Sequence, residues 1–252
     1  MTDSATWHGI SLAEHIRSIG GQLVRIVESQ EQIATTAIVD TLEEQALLED
    51  LIEKTKPPIP PSAENLHYLL LTPFRYPPLR HGSRFGRHHE PSILYGSHQS
   101  ATALCEAAYY RLLFWSGMET PPTRPIRSQH TLFAASYQTN QGMQLQHAPF
   151  DNHRSQLTSP VDYSATQALG TAMRNAGVLG FEFHSARDPL GGINVGLFEP
   201  SALPSPEINS QEEWLCEVDH TGARFLNLSK HTTHSFPINT FLINNNLPHP
   251  AQ

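Results

Sequence analysis

The sequence predicts an α+β protein, a mixed sheet with a few flanking helices, and three observations predict it. Short apolar runs bounded by Gly and Pro recur between residues 92 and 228, the signature of strands. Two helical stretches, 99–115 and 162–175, interrupt them without the regular alternation a doubly wound sheet requires. A helical pattern precedes both. The 252 residues suffice for one large domain with an appendage.

From Ser11 to Lys56 apolar residues recur at three- and four-residue spacing: Leu23, Ile26 and Val27, then Ile33, Ala37, Ile38, Leu42, Ala46, Leu47 and Leu51. Glu43, Glu44, Glu49, Asp50 and Glu53 fill the other face, so a helical hairpin packed on the main domain is expected, or an arm for a homodimer. The prolines at 57, 58, 60 and 61 end it, since Pro removes a donor and restricts its predecessor. The expected division is a helical extension with its connector over 1–61, a domain over 62–230 and an irregular tail over 231–252. In that tail Phe236 and Phe241 are the candidate anchors.

Strands are expected at 92–96, 131–137, 144–145, 178–183, 193–198, 214–218 and 224–228. The second helix takes Asp162 or Ser164 as its cap.

The net charge of −8 is unevenly placed. Residues 1–56 carry ten carboxylates against four basic groups, whereas the remainder is nearly balanced. An acidic chain without a helix-turn-helix pattern beside a basic patch argues against direct nucleic-acid binding. Asp3, Glu14 and His15 with no apolar h-region argue against a signal peptide, and no apolar run approaches membrane-spanning length. A soluble cytoplasmic protein is therefore expected. Cys105 and Cys216 lack metal-ligand spacing, and the fifteen His show no zinc pattern, so no metal is expected.

The basic set is informative: 13 Arg against 3 Lys. Arg is favoured where a planar fork grips carboxylate or phosphate. Arg75, Arg80, Arg84 and Arg87 fall within thirteen residues that contain no acid, and Gly82 and Gly86 free the backbone there. Arg84, between small residues and Phe85, is the best-placed fork. This is not a phosphate loop of the Gly-Lys-Ser type.

The helix ATALCEAAYYRLLFW is apolar nearly all round, which predicts burial, and Glu106 lies in its middle. Such a carboxylate is either a structural partner of Arg111 or another Arg, or a functional group lining a cavity. Ser185, at a strand end before a Gly- and Pro-rich turn, either binds a ligand or satisfies the turn. No Gly-x-Ser-x-Gly surrounds it.

Together these segments resemble the RES domain. Its Arg matches Gly82-Ser83-Arg84-Phe85-Gly86, its Tyr matches Leu94-Tyr95, and its Glu matches Glu106 eleven residues on. Its Ser matches Phe183-His184-Ser185-Ala186-Arg187, followed by Gly191-Gly192-Ile193-Asn194. The resemblance spans about residues 68–198. It implies an ADP-ribosyltransferase-like fold and cleavage of the nicotinamide–ribose bond of NAD+, by phosphorolysis with inorganic phosphate or by hydrolysis. NAD+ is then the substrate, no cofactor is needed, and the context is a toxin paired with an Xre-type antitoxin. Some relatives instead transfer ADP-ribose to a protein. The implied catalytic residues are Glu106, Arg84 and Tyr95; Ser185, Arg80, Arg87 and Asn194 bind substrate. The chemistry is consistent: a pyrophosphate calls for Arg, and a fixed carboxylate stabilises an oxocarbenium-like ribose. An Arg is expected to offset the burial of Glu106. The non-enzymatic alternative is an ADP-ribose or nucleotide sensor.

Overall fold

In the computed structural model residues 7, 9–29 and 39–249 are described. Ile33, Ala37 and Ile38 of the expected N-terminal helix lie outside them. The elements run β1 (Arg17–Glu28), α1 (Leu42–Thr55), α2 (Tyr68–Arg75), β2 (Leu94–Ser97), α3 (Ser100–Ser116) and β3 (Ile126–Gln144). Then follow α4 (Arg154–Leu157), α5 (Ser164–Asn175), β4 (Gly180–His184), β5 (Ile193–Leu197), β6 (Ser210–Asp219), β7 (Gly222–Asn227) and β8 (Thr233–Pro237). The fold is α+β, as expected: a large mixed sheet flanked by helices.

The sheet order is β1-β2-β5-β4-β3-β6-β7-β8, and β1 also pairs with β3. Five strands thus close on themselves, and β6, β7 and β8 continue from the free edge of β3. Closure depends on the length of β3. One edge of β3 carries β1 in antiparallel register from Arg17↔Gly142 to Glu28↔His130. Its other edge carries β6 over Ile126–Ala134 and then β4, in parallel, over Gly142–Gln144. Leu23, Leu94, Phe133, Tyr137, Val195 and Leu197 fill the closed part, with Leu69 and Leu70 of α2 packed against them. Outside it, α3 lays Leu104, Ala108 and Leu112 on Val24, Leu132, Trp214 and Phe225. A third cluster, built on Phe85, Phe181, Phe183, Leu169 and Met173, packs α5 against the other side of β4.

The largest correction concerns the N-terminal segment. Residues 17–28, expected to be helical, form a strand of the sheet, and only 42–55 form an α-helix. Gly20 and Gly21 disfavour helix, while Ile19, Val24, Ile26 and Val27 favour extended backbone. α1 begins with a capping box between Thr41 and Glu44, and an Arg75–Glu53 ion pair of 2.7 Å fastens it. Its expected apolar face is not packed: Leu47 is 59% exposed and Leu51 51% exposed.

Three smaller differences follow. The two expected strands at 131–137 and 144–145 are one, because β1 pairs across the polar stretch between them. The tail is not irregular throughout: β8 pairs with β7, and Phe241 is buried. On α5 the observed N-cap is Tyr163, whose side chain makes no capping bond; Asp162, one residue before it, accepts at Oδ1 from both the N–H and the hydroxyl of Ser164.

Candidate active site

The loop carrying Arg84 is fixed by its own backbone and by α5. Gly82 turns it at φ +72°, a conformation that L side chains rarely adopt, and the Ser83 N–H donates to the Gly86 carbonyl at 2.7 Å. Gly170 of α5 lies directly under the loop, where an added Cβ would fall 1.8 Å from the Phe85 carbonyl oxygen. Phe85 is fully buried, and its N–H donates to the Tyr95 hydroxyl at 3.1 Å. Tyr95, on β2, is therefore tied into the Arg84 loop, and its hydroxyl also bonds Ser83 at 3.0 Å. Burial pushes the Tyr95 phenol up to about 12, so it remains a neutral hydrogen-bonding group at physiological pH.

Arg84 itself donates to the carbonyls of Ser159 at 2.8 Å and Leu157 at 3.2 Å, and its guanidinium lies 4.4 Å from the centre of the Tyr163 ring. These neutral partners hold the fork without cancelling its charge. Arg187 repeats the arrangement. It is 6% exposed, stacks 3.6 Å from the Tyr109 ring centre, and donates to the Pro160 carbonyl and the Tyr163 hydroxyl. Arg84 also reaches that hydroxyl, at 3.4 Å, so Tyr163 bridges two guanidinium groups.

Glu106 projects from α3 between the ends of β4 and β5. Its Oε1 accepts from the Ser185 hydroxyl at 2.6 Å and from Asn194 Nδ2 at 2.8 Å. Ser185 Oγ in turn accepts from the N–H groups of Arg187 and Asp188, and Asn194 Oδ1 accepts from the Ser97 hydroxyl. Both donors to Glu106 are thus oriented from behind. Among the described residues Glu106 Oε2 has no hydrogen-bond partner. The expected pairing with Arg111 does not occur: Arg111 pairs with Glu28 at 3.0 Å. Neutral donors hold this carboxylate, which corrects the expectation of an arginine counter-charge. A second correction concerns α3, whose outer face leaves Tyr110 and Phe114 half exposed.

Arg84, Tyr95, Glu106 and Asn194 all line one cavity of about 580 Å³. Its size is that of sites that enclose a whole small ligand. Ser185 lies behind Glu106 and reaches the cavity through it. Arg80 and Arg87 are not brought to the lining: Arg80 is exposed, and the Arg87 N–H turns to Glu90 at 2.8 Å. Of the cationic island, then, one fork faces the cavity.

Arg25 and His249 also line it, and Tyr163 joins them. Sequence reading missed all three. Arg25 lies on the strand taken for a helix; burial lowers it to about 10, and its Nη1 donates to the Tyr95 carbonyl at 2.7 Å. His249 belongs to the segment taken for an irregular tail. Arg187, two residues after Ser185, was visible in the sequence without any periodicity to mark its burial.

Among the described residues no group of three or more His, Cys, Asp or Glu could hold a metal. No helix among them is long and apolar enough to cross a membrane.

Comparisons with known proteins bear on this geometry. The RES domain family model matches residues 59–219. No match was found among curated protein sequences. Among solved structures, the chain is similar to one in the crystal structure of the M. tuberculosis MbcT–MbcA toxin–antitoxin complex. Sequence identity is 12% over 79% of this chain and 90% of that one, with a TM-score of 0.47. The family match covers well over half of the chain and contains Arg84, Tyr95, Glu106, Ser185 and Asn194; the protein belongs to the RES domain family.

Proposed function

We propose that this protein cleaves the nicotinamide–ribose bond of NAD+, with inorganic phosphate or water as acceptor, and so depletes NAD+ as the toxin of a toxin–antitoxin pair. The observation that carries this reading is Glu106: its Oε1 is clamped by Ser185 and Asn194, its Oε2 has no partner among the described residues, and it lines the same cavity as Arg84.

The bond between ribose C1′ and the nicotinamide nitrogen breaks with its electron pair passing to the ring. The pyridinium is thereby neutralised, so the leaving group needs no proton. Positive charge develops on C1′ and the ring oxygen, and a carboxylate fixed before the reaction stabilises it without reorganising. Arg84, held by carbonyl and aromatic partners, grips a pyrophosphate oxygen. Tyr95 lines the wall between them. A phosphate or water oxygen then forms the new bond to C1′; with water, one proton is released. An Xre-type protein that covers the cavity is the antitoxin expected for such a toxin.

The test mixes purified protein with NAD+, with and without phosphate, and follows nicotinamide by chromatography. ADP-ribose 1″-phosphate as co-product identifies phosphorolysis, and ADP-ribose identifies hydrolysis. Intact NAD+ after prolonged incubation under both conditions overturns the reading.

A further inference from the structure

The two arms that hold Glu106 are built differently. Ser185 is fixed by main chain: its N–H donates to the Gly192 carbonyl at 2.7 Å, and its Oγ accepts from the N–H groups of Arg187 and Asp188. Those groups come with the turn itself, and no side chain supplies them. Asn194 has no such backing. Its amide ends in an oxygen and a nitrogen of nearly equal size, so packing alone does not fix which of them meets Glu106. An ionised carboxylate only accepts, so Nδ2 must face it, at 2.8 Å. Oδ1 then points the other way and needs a donor of its own.

Ser97 supplies that donor. It closes β2 directly opposite Asn194 on β5, and the next N–H, that of His98, donates to the Ile193 carbonyl at 2.9 Å. The strand pairing therefore sets the two side chains next to each other. Both residues are buried. The Ser97 hydroxyl donates to Asn194 Oδ1 at 2.7 Å, and among the described residues no other group bonds that oxygen. Ser97, Asn194 and Glu106 thus form a one-way chain of donors ending on the carboxylate, in which each bond polarises the next. Ser97 also lines the cavity, but its proton is committed to Asn194.

We propose that Ser97 is a positioning residue for the cleavage, acting on Glu106 only through the amide of Asn194. This rests on the NAD+ reading and adds to it the group that fixes one of the two arms. Without the hydroxyl, a buried amide oxygen loses its donor, and the amide turns to find another. Glu106 then keeps Ser185 alone, and a carboxylate that must reorient during the reaction stabilises the developing charge less well. Substrate binding, which uses Arg84, is untouched.

The experiment measures nicotinamide release by single and double variants. Ser97→Ala lowers kcat about tenfold and leaves KM for NAD+ within about twofold. Ser97→Thr keeps the hydroxyl, and the cavity has room for its methyl group, so it restores most of the rate. In an Asn194→Ala background Ser97→Ala costs less than about twofold more, because the group it acts through is gone. The same loss in both backgrounds, or a raised KM with kcat unchanged, overturns the inference. A readout independent of turnover is the side-chain NH2 pair of Asn194, followed by NMR and recognised by its absence from Asn194→Ala. Glu106→Gln moves that pair in the parent, and moves it by less than about half as much in the Ser97→Ala background. Equal movement in both overturns the positioning role. If the parent releases no nicotinamide while the pair still answers to Ser97 and Glu106 together, the cleavage reading fails and the positioning of Glu106 stands.

Discussion

Glu106 on α3 and Glu182 on β4 both accept hydrogen bonds from neutral donors, and they differ in how far they are satisfied. Glu182, on β4, is 4% exposed. Its Oε1 accepts from the Tyr137 hydroxyl at 2.7 Å, and its Oε2 accepts from Gln144 and Gln146 at 3.0 and 2.9 Å. His98 lies 3.7 Å away. Glu106, which lines the cavity, has two donors on one oxygen and none among the described residues on the other. A fully occupied carboxylate can only hold its neighbours together. A half-occupied one is equally well oriented and retains an electron pair for a ligand. Donor count, more than burial, separates the structural group from the candidate catalytic one.

Exchanging each carboxylate for its amide breaks the comparison most directly. Glu106→Gln should lower NAD+ cleavage at least about 100-fold while unfolding stays near that of the parent. Glu182→Gln should do the reverse, leaving kcat within about twofold and costing roughly 2–3 kcal/mol in denaturant unfolding, because three donors lose a charged acceptor. If Glu106→Gln cleaves NAD+ at the parent rate, the distinction has no functional content.

Acid should sharpen the same contrast. Burial pushes the Glu182 carboxyl up, but His98, Tyr137, Gln144 and Gln146 together bring it down to about 2. Burial lowers His130 to about 4, with Arg111 adding to the effect. In both cases the unfolded chain binds the proton more readily, so stability falls as pH falls. His130 acts from about 6.5 towards 4, and Glu182 from about 4.5 towards 2. Each is worth roughly 3 kcal/mol by linkage. Unfolding free energies measured from pH 7 to 3 should show both losses, and Glu182→Gln should remove the lower one. A flat profile below pH 4.5 in the parent contradicts the role given to Glu182.

Ser185→Ala should give the smallest and most mixed result. It removes one donor to Glu106, for a rate loss of about tenfold if the carboxylate shifts. It also strips the N–H groups of Arg187 and Asp188 of their acceptor, for about 1 kcal/mol of stability. Asn194 still holds Glu106, so a complete loss of activity would show that Ser185 touches substrate itself.

The sequence made the sites more legible than the frame that carries them. Glu106 was marked by its apolar helix, Arg84 by its glycines, and Ser185 by its strand end. These are local signals, and the fold brings the three together. β1 was hidden because both of its faces are covered: Leu23 points into the closed strands while Val24 packs under α3. Two-sided burial removes the alternation by which a strand is read, and Leu23, Ile26 and Val27 then mimic helical spacing. The partners of Glu106 were misjudged for a related reason. Arg111 is five residues away on the same helix, whereas Ser185 and Asn194 approach from strands nearly eighty residues or more beyond it. His249 gave no signal at all, since its place depends on one tyrosine hydroxyl meeting one carbonyl.

The pairing of β1 with β3 has a consequence for how the protein is made. Val24 meets Ala134, more than a hundred positions later. On the ribosome β1 therefore emerges long before its main partner exists, and β2, its other neighbour, touches it at a single register position, Val24↔Ser97. Until β3 is synthesised, an apolar strand with open edges must wait, which slows folding and invites pairing with other chains. A fragment trimmed to residues 59–219 would keep every residue proposed to meet the ribose and phosphates, yet would leave β3 with a bare edge where the sheet closes.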